Sequence, residues 1–484
     1  MRADHPVLLL NSCQCRQAVA ARVFAFQEID PVNQTTMSDL TNRRDFLRTA
    51  SVAGTSLLLS PGPASLSAGS FFSGAPNDKV VVGVMGTNSR GLFLAKTFAK
   101  LPNVEVGYIC DVDETVLNKT LAEIEKITGK RPQGFADIRK LLEKKDFDAL
   151  AIAAPDHWHA PATIMGCQAG KHVYVEKPCS HNPHEGEMAV EAARKYNRLV
   201  QMGSQRRSFS NVNALIGELR AGAIGRVYFA RGWYANWRKP IGTGKAIVPP
   251  TTLNYDLWQG PAPRRPYQDN LIHYNWHWFW NWGTGEALNN GTHEIDVMRW
   301  GLGVDYPTKV VSAGGRFAFQ DDWETPDTQT ITANFGNNTA LTWEGRSCNG
   351  FNSEGDGRGV IFYGTTGTLV YPGANSYRIY DQKDKLVREI KDDTIADPTN
   401  PVSPTDKLDA LHLQNFISSI RGEASLTAEI GNGHKSTLIA QLGNISYRVG
   451  RALVCDPQNG HIQNDNEAMQ LWGREYDKNW PVRV

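Results

Sequence analysis

The fold of this 484-residue chain is decided by residues 80–91, which read VVVGVMGTNSRG. Val80 to Val84 form a continuous apolar run, typical of a strand buried on both faces of a parallel sheet. Gly86 to Gly91 follow as a turn, and a helix starts at Leu92. A strand, a glycine turn and a helix in this order predict the phosphate-binding corner of a dinucleotide-binding fold.

The turn departs from the usual fingerprint at one position. The fingerprint has glycine first, third and sixth, and the third residue here is Asn88. Asparagine tolerates a positive φ, so the departure does not exclude the fold. Asp111 follows the second strand, where an acid binds the ribose 2′-hydroxyl and repels a 2′-phosphate. We expect NAD, with NADP less favoured; the alternative for Asp111 is a helix cap.

The rest of the chain predicts two domains of different character. Apolar strands at 149–154, 172–175 and 199–202 alternate with helices, so we expect a Rossmann domain with a doubly wound parallel sheet over residues 78–205. From 206 to 455 the strands alternate apolar and polar residues, which favours an α+β domain with an open, mainly antiparallel sheet. Residues 456–484 are expected to form a C-terminal tail. The predicted fold class is α/β.

The front of the chain predicts export. Residues 37–70 contain paired arginines, Arg43 and Arg44, followed by a short apolar run and a stretch of small residues in which cleavage is plausible. This is the pattern of a twin-arginine signal. A frayed amphipathic helix is the alternative. We expect recognition by the twin-arginine export machinery and a periplasmic or otherwise exported protein. Residues 1–36 are a doubtful extension, which leaves Met1 and Met37 as candidate starts.

Composition excludes several classes of partner. The chain has 51 basic and 50 acidic residues without a basic stripe, which argues against nucleic acid as the main partner. No apolar run is long enough for a membrane span. Two of the seven cysteines, Cys13 and Cys15, lie in the doubtful extension, and the other five are scattered without metal-like spacing, so we expect neither a metal site nor a disulfide framework.

The first candidate for chemistry is Glu176-Lys177-Pro178, directly behind the apolar run 172–175. A lysine at the carboxyl end of a parallel strand faces the crevice where such sheets bind ligands. An exposed charged turn would give the same sequence, so the interpretation depends on the surrounding fold.

Five motifs resemble, in their order and spacing, those of the Gfo/Idh/MocA oxidoreductase family. They are Gly83-Val84-Met85-Gly86, Pro155-Asp156-His157-Trp158-His159, Glu176-Lys177-Pro178, Gly203-Ser204-Gln205-Arg206 and Gly291-Thr292-His293-Glu294-Ile295-Asp296. The resemblance extends from Lys79 to about Val449. It implies that Lys177 is the catalytic lysine, that residues 155–159 line the nicotinamide pocket, and that a dimer or tetramer forms through the second sheet.

The resemblance also implies a proton-handling Asp-x-x-x-His pair on a helix beside the lysine. His293 matches the histidine, but the residue four positions earlier is Asn289. Asparagine orients a hydroxyl without accepting its proton, so His293 or Lys177 has to act as the base. A buried structural histidine is the alternative for His293.

The predicted site residues fall into three groups. The catalytic candidates are Lys177, His293 and Asn289. The cofactor candidates are Gly86, Thr87, Asn88, Ser89, Arg90, Asp111, Pro155, His157, His159, Glu176, Lys177 and Gln205. The substrate candidates are Trp158, Arg206, Tyr274, Asn289 and Asp296.

Four tryptophans recur at every second position: Trp276, Trp278, Trp280 and Trp282. An extended segment would place all four on one face, suited to stacking on a sugar ring, whereas core packing is the alternative.

The predicted function is hydride transfer between NAD and a secondary alcohol of a sugar, cyclitol or sugar derivative, with the cofactor tightly held. One alternative is a glycoside hydrolase that oxidises its sugar transiently with catalytic NAD. Another is a sugar-binding protein that has lost turnover. The sequence names neither the substrate nor the direction of reaction.

Overall fold

The computed structural model describes residues 79–373, 376–391 and 406–484. The predicted twin-arginine segment, both candidate start residues and the doubtful extension lie outside the described residues. In the described part of the chain, no helix combines the length and apolar character needed to cross a membrane.

The first sheet has six strands, all parallel, in the order β3-β2-β1-β4-β5-β6. The strands are β1 Val80–Met85, β2 Val104–Cys110, β3 Gln133–Phe135, β4 Ala149–Ile152, β5 His172–Val175 and β6 Val200–Met202. The order reverses between β1 and β4, as in a Rossmann fold, which confirms the predicted fold class. Val82 and Val84 are fully buried because helices cover both faces of the sheet.

Five helices connect these strands: α1 Arg90–Phe98, α2 Glu114–Thr128, α3 Ile138–Leu142, α4 Asp156–Gln168 and α5 Pro183–Lys195. Asp113 caps α2 by accepting from the backbone N–H groups of Thr115 and Val116. The alternative interpretation of Asp111 as the helix cap is therefore wrong. β3 and α3 escaped sequence-based prediction because each is too short to establish a period.

The second sheet is open and has nine strands in the order β14-β13-β12-β11-β7-β10-β9-β8-β15. They are β7 Val227–Ala235, β8 Lys309–Gly315, β9 Thr328–Phe335, β10 Thr339–Arg346, β11 Arg358–Gly364, β12 Gly367–Tyr371, β13 Ser376–Asp381, β14 Leu386–Lys391 and β15 Leu453–Val454. Only the pairing of β7 with β10 is parallel among these strands, so the sheet is mainly antiparallel, as predicted. Buried and half-buried residues alternate along β10, since one face packs on helices.

The second region contains seven α-helices and two 3₁₀ helices in its described residues. They are the 3₁₀ helix Gln205–Ser208, α6 Ser210–Arg220, α7 Tyr255–Gln259, the 3₁₀ helix Asn275–Trp278, α8 Gly285–Asn289, α9 Gly291–Leu302, α10 Asp406–Ile420, α11 Ile430–Val449 and α12 Asn466–Met469. α9 and α11 supply Ile295 and Leu442 to the core shared with Leu341 and Trp343 of the sheet.

The tryptophan row is not extended. Residues Asn275–Trp278 form a 3₁₀ helix, so the prediction that all four rings share one face is wrong. Trp276, Trp278 and Trp282 are buried, and Trp278 stacks on Trp323 with ring centroids 3.9 Å apart. These buried rings support the core-packing alternative.

The last residues of the chain pack against helices α4 and α5 of the first domain. Trp480 is buried and meets Trp158 edge to face, with ring centroids 5.0 Å apart. Arg474 Nε donates to Glu185 Oε1 at 2.7 Å. The C-terminal segment therefore contributes to the wall of the cleft described next.

Candidate active site

A cleft of about 510 Å³ lies at the carboxyl ends of the parallel strands. Its walls come from the loops after β1, β2, β4 and β5, from α9 and from β11. Most predicted site residues line it: Gly86, Thr87, Asn88, Ser89, Arg90, Asp111, Pro155, Trp158, His159, Glu176, Lys177, Gln205, Arg206, Tyr274, Asn289 and His293. The location matches the crevice at which open α/β sheets bind their ligands.

Close backbone approach explains the two glycines of the turn. A Cβ atom on Gly86 would lie 2.6 Å from the Cα of Ala154, and one on Gly91 would lie 1.9 Å from the Gly86 carbonyl oxygen. Gly86 also has a φ of +77°. Asn88 is exposed and is absent from the non-glycine residues with positive φ in the described ranges. Its tolerance of positive φ is therefore not used.

The amino end of α1 is suited to a pyrophosphate. Ser89 occupies the N-cap position but makes no side-chain capping hydrogen bond. The first-turn N–H groups, which have no acceptor within the helix, are the donors that bind phosphate oxygens in dinucleotide folds. The turn thus fits the diphosphate of NAD.

Asp111 braces this turn. Its Oδ2 accepts from the backbone N–H of Thr87 at 2.6 Å and from Thr87 Oγ1 at 3.2 Å, and its Oδ1 accepts from the N–H of Asp113 at 3.0 Å. Burial raises the pKa of the Asp111 carboxyl. The acid lines the cleft where a ribose hydroxyl is expected and also fixes the shape of the phosphate turn.

Arg90 joins two acidic groups across the cleft. Its Nε donates to Glu176 Oε1 at 2.8 Å, and Nη1 and Nη2 donate to Asp409 of α10 at 3.1 and 2.7 Å. Burial opposes ionisation of Glu176, but Arg90 and Lys177 outweigh it and hold its pKa below the usual value. Glu176 therefore remains a carboxylate next to the lysine.

Lys177 and Asn289 are in direct contact. Lys177 Nζ donates to the Asn289 carbonyl oxygen at 2.5 Å and lies 3.3 Å from its Oδ1. Burial lowers the pKa of Lys177, although Glu176 and Asp156 oppose the change. The lysine lies two residues after the end of β5, and its peptide bond to Pro178 is cis. The structure therefore brings together two residues that are far apart in sequence, as the family resemblance implies.

Glu286 orients the Asn289 amide. Its Oε1 accepts from Asn289 Nδ2 at 3.2 Å, which leaves the amide oxygen facing Lys177. Arg238 Nε donates to the other carboxylate oxygen at 2.6 Å and secures the glutamate. Glu286 was not among the predicted site residues, although its position three residues before Asn289 on a helix was the available signal.

His293 lies in the first turn of α9 and faces the same cleft. Burial lowers its pKa well below the ordinary value, and the charges of Arg206, Arg358 and Lys177 add to the effect. The imidazole is therefore neutral at pH 7.

Arg206 and Arg358 both line the cleft and share one carboxylate. Arg358 Nε and Nη2 donate to Glu294 Oε1 at 3.0 and 2.8 Å, and Arg206 Nη1 lies 3.4 Å from the same oxygen. Arg206 was a predicted substrate residue, whereas Arg358 of β11 was missed. An isolated arginine in a strand carries no motif that sequence analysis detects.

His159 ties the lysine loop to α4. Its ring nitrogens lie 2.5 Å from the Pro178 carbonyl oxygen and 2.7 Å from that of Ala154. His157, two residues earlier, is fully buried away from the cleft, with Nε2 2.9 Å from the Trp258 carbonyl oxygen. The prediction that His157 binds the cofactor is corrected, because residues two apart on a helix face opposite sides.

Asp296 also lies outside the cleft. Arg207 Nε and Nη2 both donate to its carboxylate, each with a closest distance of 2.8 Å, and Ser436 Oγ donates at 2.6 Å. The residue is 1% exposed because it is one turn beyond His293, where α9 faces α11. The prediction that Asp296 contacts substrate is therefore corrected.

Comparisons with known proteins agree with this architecture. A model described as an oxidoreductase family with an NAD-binding Rossmann fold matches residues 80–204. A second model, for the C-terminal alpha/beta domain of an oxidoreductase family, matches residues 226–482. The two matches together span most of the described chain.

Curated relatives match a smaller part of the chain than the family models do. A glycosyl hydrolase family 109 protein from Shewanella putrefaciens is 27% identical over 215 residues, 40% of this chain. The match spans only 46% of that protein's length.

Solved structures cover more of the chain. The WlbA dehydrogenase from Bordetella pertussis, in complex with NADH and UDP-GlcNAcA, has a TM-score of 0.57 at 18% identity and covers 78% of this chain and 99% of its own. A levoglucosan dehydrogenase in complex with NADH and levoglucosan has a TM-score of 0.59 at 18% identity, with the same coverage. At this identity the likeness establishes the fold.

Proposed function

The chain belongs to the Gfo/Idh/MocA oxidoreductase family, whose first domain binds NAD, and from this we propose hydride transfer between NAD and a secondary alcohol of a sugar, cyclitol or sugar derivative. The observation that carries the proposal is Lys177, which follows β5 and donates to Asn289 in the same cleft as the phosphate turn. Bound NAD supplies the hydride acceptor or donor at its nicotinamide ring.

The substrate hydroxyl has to lose a proton as the hydride leaves. Lys177 is the group we assign to this step, because burial lowers its pKa and makes its neutral form easier to reach. In the reverse direction the cationic form stabilises the developing alkoxide. Asn289 holds Nζ in position, and neutral His293 offers a hydrogen bond to the substrate.

The proposal is tested on the purified protein with a panel of sugars and cyclitols, following the fluorescence of bound NADH. Lys177→Ala should lower kcat/KM about 100-fold or more while dinucleotide binding is retained, since acid–base groups contribute at least this much. Lys195→Ala, at the exposed end of α5, is the matched control. A Lys177→Ala variant with full activity would overturn the assignment.

Glycoside hydrolysis through transient oxidation is the second candidate. It is favoured by the names of the curated relatives, several of which are glycosyl hydrolase family 109 proteins. A hydrolase of this kind releases a chromogenic leaving group without net formation of NADH. Net accumulation of NADH with a free sugar identifies the dehydrogenase instead.

We further propose that the protein is exported through the twin-arginine route with NAD already bound, and that it forms a dimer or tetramer. Support for export comes from Arg43 and Arg44 and the apolar run behind them. Replacing both arginines with lysine should retain the precursor in the cytoplasm. Light scattering of the purified protein measures the oligomer.

A further inference from the structure

We propose that the substrate carries a carboxylate and that Arg206 and Arg358 bind it. The inference rests on the proposed function and narrows its substrate to sugar acids, such as uronic or aldonic acids. It follows from an excess of positive charge among the residues that line the cleft.

The excess concerns one carboxylate placed between two guanidinium groups. Arg358 makes two hydrogen bonds to Glu294 Oε1, and Arg206 Nη1 approaches the same oxygen at 3.4 Å. In the described part of the chain, Arg206 Nη1 and Glu294 Oε2 have no hydrogen-bond partner. One negative charge therefore faces two positive charges, and Arg206 is only 8% exposed.

The neighbouring Arg207 shows how the same fold satisfies a buried arginine that serves structure alone. The Asp296 carboxylate accepts from both Nε and Nη2 of Arg207 and also from Ser436 Oγ, and neither Arg207 nor Asp296 lines the cleft. Arg206 and Arg358 line the cleft and share the single carboxylate of Glu294, so the pair is one negative charge short. A buried excess of positive charge is costly unless an anion compensates it.

The cofactor does not account for this excess. Its diphosphate is expected at the turn 86–91, where Arg90 is already engaged by Glu176 and Asp409. Arg206 and Arg358 instead act on His293, whose pKa they depress together with Lys177. The positive charge thus lies beside the residues assigned to substrate.

A carboxylate suits this position better than a hydroxyl. Guanidinium groups bind carboxylates with paired, charge-assisted hydrogen bonds, which are about twice as strong as neutral ones. The neutral alternative, a hydroxyl, would leave the second positive charge uncompensated. We therefore expect the cleft to bind a sugar acid more tightly than the parent neutral sugar.

The test is a fluorescence titration of the purified protein with bound NADH, using D-glucuronate, D-glucose and D-glucose 6-phosphate. Glucuronate should bind at least about tenfold more tightly than glucose, because an anion replaces a neutral group at an arginine pair. Arg358→Gln should abolish this difference. Arg388→Gln removes a half-exposed arginine on β14 that pairs with Glu218, and it should leave the difference intact.

Arg358→Gln removes the cation that pairs with the buried Glu294 carboxylate and can destabilise the fold. A second variant that keeps this positive charge is therefore needed. Arg358→Lys keeps the charge but loses the paired geometry, and we expect it to reduce the preference for glucuronate severalfold. Equal binding of glucuronate and glucose, or a preference unaffected by both variants, would overturn the proposal. Tighter binding of the phosphate than of glucuronate would overturn the assignment to a carboxylate.

Failure of this proposal is distinguishable from failure of the proposed function. Oxidation of neutral sugars without binding of glucuronate refutes the anion site and leaves hydride transfer intact. Arginine-dependent binding of glucuronate with no hydride transfer to or from any compound supports the site and refutes the function.

Discussion

At the scale of single residues, Asn289 distinguishes this active site from the pattern that its family resemblance implies. The expected carboxylate is replaced by an asparagine, whose backbone carbonyl oxygen and side-chain Oδ1 both accept from Lys177 Nζ. The carboxylates that oppose the lowering of the Lys177 pKa are Glu176, Asp156 and Glu286, and Arg90 already pairs with Glu176. Burial outweighs these charges, so the pKa of Lys177 stays lowered, which suits a proton acceptor.

Restoring the carboxylate with Asn289→Asp should raise the pKa of Lys177. An adjacent opposite charge stabilises the cation, by about one pKa unit or more. Neutral Lys177 would then form only at higher pH, so the rising limb of the pH–rate profile should shift to higher pH. The measurement is a pH profile of kcat for both proteins. A limb that stays in place would assign the titrating base to another group.

Glu286→Gln tests the orientation of the same amide. The glutamine keeps the volume but removes the charge that holds Arg238, Asn289 and Asn290. We expect kcat to fall about tenfold or more with little change in NAD affinity, because a misplaced lysine slows only the chemical step. Glu423→Gln, at an exposed site after α10, is the control. A loss confined to NAD binding would contradict the assignment.

At the scale of elements, the strand–turn–helix corner was predictable because its signals are local. The apolar run of β1, Gly86 and Gly91 lie within twelve residues of one another. Arg358 and Asp409 were not predictable, because they reach the cleft from β11 and α10 through tertiary contacts. His157 and Asp296 were misassigned for a related reason. Their motifs were recognised correctly, but His157 lies on the side of α4 that faces away from the cleft, and Asp296 lies one turn beyond His293, where α9 packs against α11.

Gly91→Ala tests the corner itself. The added Cβ would lie 1.9 Å from the Gly86 carbonyl oxygen, so the turn has to open and its phosphate donors move. We expect NAD affinity to fall about tenfold or more, as measured by titration calorimetry. Gly217→Ala in α6 is the matched control, since nothing lies within 4 Å of its Cβ position. That change should leave NAD binding unchanged and stabilise the helix by up to about 1 kcal/mol.

At the scale of the whole molecule, the C-terminal segment connects the stability of the protein to its cleft. Trp480 lines the cleft, packs against Trp158 and lies under the Arg139 guanidinium, 4.1 Å from its ring centroid. Trp480→Ala should lower the free energy of unfolding by about 3 kcal/mol, as for other buried tryptophans, and should weaken NAD binding. Thermal unfolding with and without NAD measures both effects.

Trp237→Ala provides the control, because that ring is 70% exposed and its loss should change stability by no more than about 0.5 kcal/mol. A destabilised Trp480→Ala variant with unchanged NAD affinity would restrict the segment to a structural role.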